Sequence, residues 1–225
     1  MAEEMPRNLI HAAGEPQHID EDQLEKEWLA NNVPVERLEL HWRYESGAVQ
    51  LYDRRLRSLA AYGVGPALRS YLRTRLEWFC DNKLYAQPRG VVVVIVETNG
   101  DVDMKLGEPV AAPALDESAL VFEDGQLAGA NVPGALFARK GDKLHIVAGD
   151  GLRDACESFA ADLATTLAKS LAYSVVDEPF AQSDLEGAEL LLVNEEFGEA
   201  VVAGHSGPFT DKLLECFDKL WSKGK

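Results

Sequence analysis

LYDRRLRSLAAYGV, residues 51 to 64, carries three arginines in four positions, Arg54, Arg55 and Arg57, within a chain that is otherwise acidic. Leu56, Leu59, Ala60 and Val64 keep the three- and four-residue apolar spacing of a helix that buries one side. The spacing predicts a helix over 54–62, closed by Gly63. Pro66 predicts the start of another, with Leu68, Leu72, Leu76 and Phe79 recurring about one turn apart. Residues three apart share a helix face, so Arg54 and Arg57 are expected on one side and Arg55 on another, in solvent or an ion pair. Which anions these cations meet bears directly on function.

Outward from this stretch, Asp20 and Gln23 signal a helix start, with Leu24 and Trp28 one turn apart. VERLELHWRY, 35–44, alternates like a strand, and Ser46-Gly47 turns it into AVQLY. VVVVIV, 91–96, is continuous and β-branched, as in a strand buried on both faces. Asn99-Gly100 is a strong hairpin signal, returning through DVDMKL. GEPVAAPAL, 107–115, reads as a boundary, with two prolines, a glycine and small residues. Beyond it SALVF turns at Glu123-Asp124-Gly125, and ALFAR turns at Lys140-Gly141 into KLHIV. A helix follows with Phe159, Leu163, Leu167 and Leu171, then strands AYSVVDE and AELLLVN. A last helix spans 210–221. This pattern predicts an α/β (α+β) protein of two lobes, 20–110 and 111–225, behind a poorly ordered polar N-terminus over 1–19.

The 225 residues include 38 acidic and 22 basic ones, a formal net charge of -16. A field of that sign repels nucleic acid and anionic membrane, so neither is an expected partner. No apolar run approaches the roughly 18 residues of a membrane span. The N-terminus has neither the apolar core of a signal peptide nor the basic character of a transit peptide. Cys80, Cys156 and Cys216 are widely spaced in apolar contexts and form no metal pattern. They read as buried free thiols, and a cytoplasmic location is expected. No metal site is expected: Asp101 with Asp103, or Glu195 with Glu196, offers too few ligands for calcium.

Asp53-Arg54, Ser58 and Gly63-Val64 match without a gap a pattern of the class IV aminotransferases, the family of branched-chain and D-amino-acid aminotransferases and aminodeoxychorismate lyase. That pattern reads roughly H-L-D-R-L-x-x-S-A followed by Gly-Ile; Leu51 stands in place of the histidine. VERLEL resembles the family's F-E-T-x-R strand. Residues 118–147 resemble its D-G turn, N-x-F strand and K-D-G hairpin. DLEGAELLLVNEEFGEAVVAG, 184–204, and GHSGPFTDKLLECF, 204–217, resemble its closing strands and helix. The resemblance covers most of residues 35–221. It implies a two-lobed class IV fold, reduced in the middle, and a homodimer.

The resemblance also implies positions for pyridoxal phosphate (PLP) chemistry. A Schiff-base lysine is needed, and Lys105 is the only lysine near the required place. It sits in a hairpin strand before a Gly-Pro turn, where a solvated lysine is the plainer reading. The ring-nitrogen acid is missing from Ala128–Ala135, and only Asn131 could hydrogen-bond there. The phosphate loop would fall near Leu152–Ser158, where Asp154 and Glu157 would repel a dianion. Arg54 survives as the counterpart of a phosphate ligand, facing the groove between the lobes; the equal alternative is an ion pair with Glu36 or Asp53, or simple exposure. The expectation is therefore a degenerate, PLP-free member acting in binding or subunit interaction, with weak affinity for a small anion. The alternative is an active PLP-dependent aminotransferase or lyase with a relocated lysine.

Overall fold

The computed structural model describes residues 21–84, 88–147 and 159–222. The expected poor order of residues 1–19 and the Leu152–Ser158 loop both lie outside the described residues.

Helix α1, Glu21–Asn32, leads into β1, Leu38–Glu45. The strand begins later than its alternation suggests, because Val35 is 92% exposed and touches no core. β1 pairs antiparallel with β2, Ala48–Val49, and with β3, Arg89–Val96; β3 pairs antiparallel with β4, Val102–Gly107. The order in the first sheet is β2-β1-β3-β4.

The arginine stretch is helical in two parts. α2 runs Tyr52–Ser58, two residues ahead of its expected start, from Leu51 in the left-handed region. It tightens into a 3-10 turn at Leu59–Tyr62 and stops at Gly63, whose φ of 82° a glycine adopts without strain. α3, Pro66–Lys83, follows with Pro66 opening it as expected. Leu56, Leu59, Leu68, Leu72, Leu76 and Phe79 pack on Leu40 and Trp42 of β1 and on Val92, Val94 and Val96 of β3. Burying each such leucine contributes about 1.5–3 kcal/mol, so this face holds the first lobe together. The opposite face of β3 is buried too: Val91, Val93 and Ile95 are 2%, 6% and 9% exposed.

The second lobe is a five-stranded sheet ordered β11-β10-β7-β8-β9. Its strands are β7 Ala135–Lys140, β8 Lys143–Val147, β9 Ser174–Val176, β10 Glu189–Asn194 and β11 Gly198–Val201. Among the described strands of this sheet, only β8 and β9 pair in parallel. The strand expected over AYSVVDE shrinks to three residues because Ala172 turns the chain at a φ of 66°. One face carries Phe137, Leu191 and Val193. They pack on α4, Phe159–Ser170, and α5, Pro208–Ser222, through Leu163, Ala164, Leu213 and Phe217. Leu136, Leu190 and Leu192 on the other face pack on the hairpin of β5, Leu120–Glu123, and β6, Gln126–Ala130.

No strand is shared between the two large sheets. The chain leaves the first at Gly107 and joins the second lobe by Leu115, which bridges Val202. The architecture is two-lobed α/β.

Candidate functional site

β10 turns sharply into β11 through Asn194-Glu195-Glu196-Phe197. Asn194 builds the turn: its Oδ1 accepts the Glu196 N–H at 2.7 Å, and its Nδ2 donates to the Pro133 carbonyl at 3.1 Å. This turn lies against the first lobe. Between them is a groove of about 750 Å³, lined by residues 36–42 leading into and along β1, Ser58, Leu59 and Tyr62, Val110, Ala111 and Pro113 of the connection, Val132 and Pro133, Phe159, and residues 194–197.

Among the described residues, the lobes meet through three arginines and a histidine of the first and four carboxylates of the second. Arg55 Nη1 donates to Glu195 Oε2 at 2.7 Å. His41 Nδ1 lies 2.5 Å from Glu196 Oε1. Arg43 Nη1 lies 3.2 Å from Glu199 Oε2 and its guanidinium sits 4.8 Å from the Trp221 ring. Arg54 Nη2 donates to Asp162 Oδ2 at 2.8 Å and to Thr166 Oγ1 at 3.1 Å. Charge distribution favours this contact. Residues 21–110 hold 12 basic and 14 acidic residues, a balance of -2; residues 111–225 hold 9 and 20, a balance of -11.

Arg55 is the most buried of these groups at 2% exposure, with its Nε donating to the Gln50 carbonyl and its guanidinium 4.2 Å from the Phe159 ring. Glu195 also accepts the Ala160 N–H of α4. A carboxylate there satisfies a helix N–H and a buried cation at once. Glu189, at the other end of β10, repeats the arrangement. It pairs with Arg139 and accepts the Phe209 and Thr210 N–H groups at the start of α5.

On the first-lobe side, hydrogen bonds from Arg37 and then His41 hold the Glu39 carboxyl below the usual range. Burial pushes the Glu199 carboxyl up, against the pull of Arg43. Gly198 makes the Arg43 contact possible. Its φ is +87°, and a Cβ there would lie 1.8 Å from Arg43 Nη1.

The expected site residues fall as follows. Arg54 does not line the groove; its partner is Asp162 of α4, while Asp53 pairs with Arg73. Arg55, expected in solvent or an ion pair, is in a buried ion pair. Arg57 is exposed. Lys105 is exposed on the edge strand β4, outside the groove lining. The register His41–Val93–Lys105 sets it on the same sheet face as His41, two strands and roughly 10 Å away. Asn131 is exposed and donates its N–H to the Ala119 carbonyl; its neighbours Val132 and Pro133 reach the groove instead. Glu195, His41 and Arg43 were not expected at a site, and the burial of Arg55 was not expected. One signal was present for Arg55: it stands four residues before the core residue Leu59, so it shares that inward face.

Among the described residues, no helix is long and apolar enough to cross a membrane, and no group of three or more His, Cys, Asp or Glu is placed to hold a metal. No protein-family model matches the chain, and no curated protein matches it. Solved structures do. A candidate branched-chain amino acid aminotransferase from Thermotoga maritima is 17% identical with a TM-score of 0.57, over 83% of this chain and 86% of that one. The 4-amino-4-deoxychorismate lyase of Pseudomonas aeruginosa is 15% identical with a TM-score of 0.54, over 82% and 90%.

The chain has the class IV aminotransferase fold. An aminotransferase from Brucella abortus with bound PLP is a further match, 13% identical with a TM-score of 0.54, over 88% of this chain and 91% of that one. At these identities the likeness to class IV aminotransferases is one of fold.

Proposed function

We propose that this chain is a degenerate class IV aminotransferase-like protein that binds a ligand or subunit and performs no PLP chemistry. The observation that carries the reading is the donor set of the groove. Its lining includes Glu36, Glu39, Glu195 and Glu196 but no lysine among the described residues. A Schiff base needs a lysine, and a phosphorylated cofactor needs unopposed positive charge. Here the buried cation, Arg55, is already matched by Glu195. The residues present do not fit PLP.

The groove is instead suited to binding. Trp42, Tyr62, Phe159 and Phe197 line it together with acidic and basic side chains. The reading includes lobes of residues 20–110 and 111–225, homodimer formation and a cytoplasmic setting. A PLP enzyme using Lys105 is the competing reading, supported by the PLP in the Brucella abortus neighbour and by the sheet face Lys105 shares with His41. Absorbance after adding PLP decides between them: the proposal expects no visible band that borohydride abolishes. Gel filtration with light scattering tests the dimer, and a monomer at micromolar concentration would remove that part.

A further inference from the structure

We propose that Glu195 is a built-in anion, occupying from within the chain an oxyanion site made by the Arg55 guanidinium and the Ala160 N–H. Three observations converge on its carboxylate. The Arg55 guanidinium, 2% exposed, donates to Oε2 at 2.7 Å. The Ala160 N–H donates to Oε1. Phe159 lies under the guanidinium at 4.2 Å and excludes water from that side. A buried guanidinium and a backbone N–H aimed at one point are donors that hold a carboxylate or phosphate oxygen.

Glu189 shows why this is more than helix capping. It makes the same two kinds of contact, but its side chain is 7% exposed and is absent from the groove lining. The Glu195 side chain is 18% exposed and lines the groove. Removing its carboxylate would leave Arg55 and Ala160 accessible to an anion from solvent. With Glu195 in place, the groove excludes phosphorylated and carboxylated ligands from this point. The inference goes beyond the proposed function, since Glu195 would fill the site whatever the groove binds.

Thermal and urea unfolding of Glu195→Ala in inorganic phosphate, against sodium chloride of equal ionic strength, tests it. A site with a dissociation constant near 1 mM would raise the folded-to-unfolded ratio about fiftyfold at 50 mM phosphate. The expected result is a response of that order in Glu195→Ala, little in the wild type, and none in Arg55→Met/Glu195→Ala. If Glu195→Ala is unfolded without anion, refolding on phosphate addition supports the proposal and failure to refold overturns it. Glu195→Gln keeps the side chain in place and should not respond. An unresponsive, folded Glu195→Ala, or a wild type responding equally, overturns the proposal. The PLP spectrum of the wild type is read separately: a borohydride-sensitive band there removes the proposed function, whereas the phosphate response decides the role of Glu195.

Discussion

Glu189 and Glu195 stand at the two ends of β10, and each carboxylate joins a helix backbone N–H to an arginine. One strand thus anchors α4 and α5, and through Arg55 it also anchors the first lobe. The two lobes are held by charge as well as by apolar contact.

Arg55 is expected to dominate that contact energetically. Arg55→Met leaves the Glu195 carboxylate short of its buried partner, and breaking such a pair costs about 3–5 kcal/mol. Arg54→Ala removes a pair whose side chains are 32% and 63% exposed, so its expected cost is about 0.2–1 kcal/mol. Urea unfolding of both variants ranks them; equal midpoints would contradict the buried role of Arg55.

Gly198→Ala should weaken the Arg43 clasp. The new Cβ meets Arg43 Nη1 where the backbone φ is already +87°. Arg43 must move, leaving Glu199, whose side chain is 10% exposed, without its cation. A loss of about 2–4 kcal/mol is expected from strain and the unpaired carboxylate together. An unchanged melting temperature would show that Arg43 is not held at this position.

Acid titration should separate the carboxylates. Burial raises Glu199, while the Lys143 hydrogen bond and charge lower the exposed Glu178. The signs for stability are opposite. Glu178, with its pKa depressed on folding, contributes stability above the ordinary glutamate range that is lost as pH falls through its folded pKa. Glu199, with its pKa raised, contributes stability present below that range and lost as pH rises through its folded pKa. Carbon-detected NMR of the side-chain carboxyls is expected to place the Glu199 midpoint above that of Glu178. The reverse order would show that the charge of Arg43 outweighs burial.

Much of the fold was legible because period and punctuation agreed. VVVVIV is buried on both faces, Asn99-Gly100 turns a hairpin, and Pro66 opens a helix. β11 was not separately identified as a strand, since four residues after an acidic turn carry little periodicity. The site was less legible. The family pattern drew attention to Arg54, but long-range partners decide what an arginine does, and Asp162 lies 108 positions away. Glu195 and Glu196 read as an acidic turn because nothing local reveals that Arg55 and His41 face them.

We propose that this chain, unlike the PLP-bound Brucella abortus neighbour of the same fold, carries no PLP chemistry. The most direct test is the visible spectrum of the purified protein after incubation with PLP and removal of excess, before and after borohydride, in wild type and Lys105→Ala. No retained visible band and identical spectra for both proteins are expected. A retained band that borohydride abolishes and Lys105→Ala removes, accompanied by amino-group transfer, would contradict it.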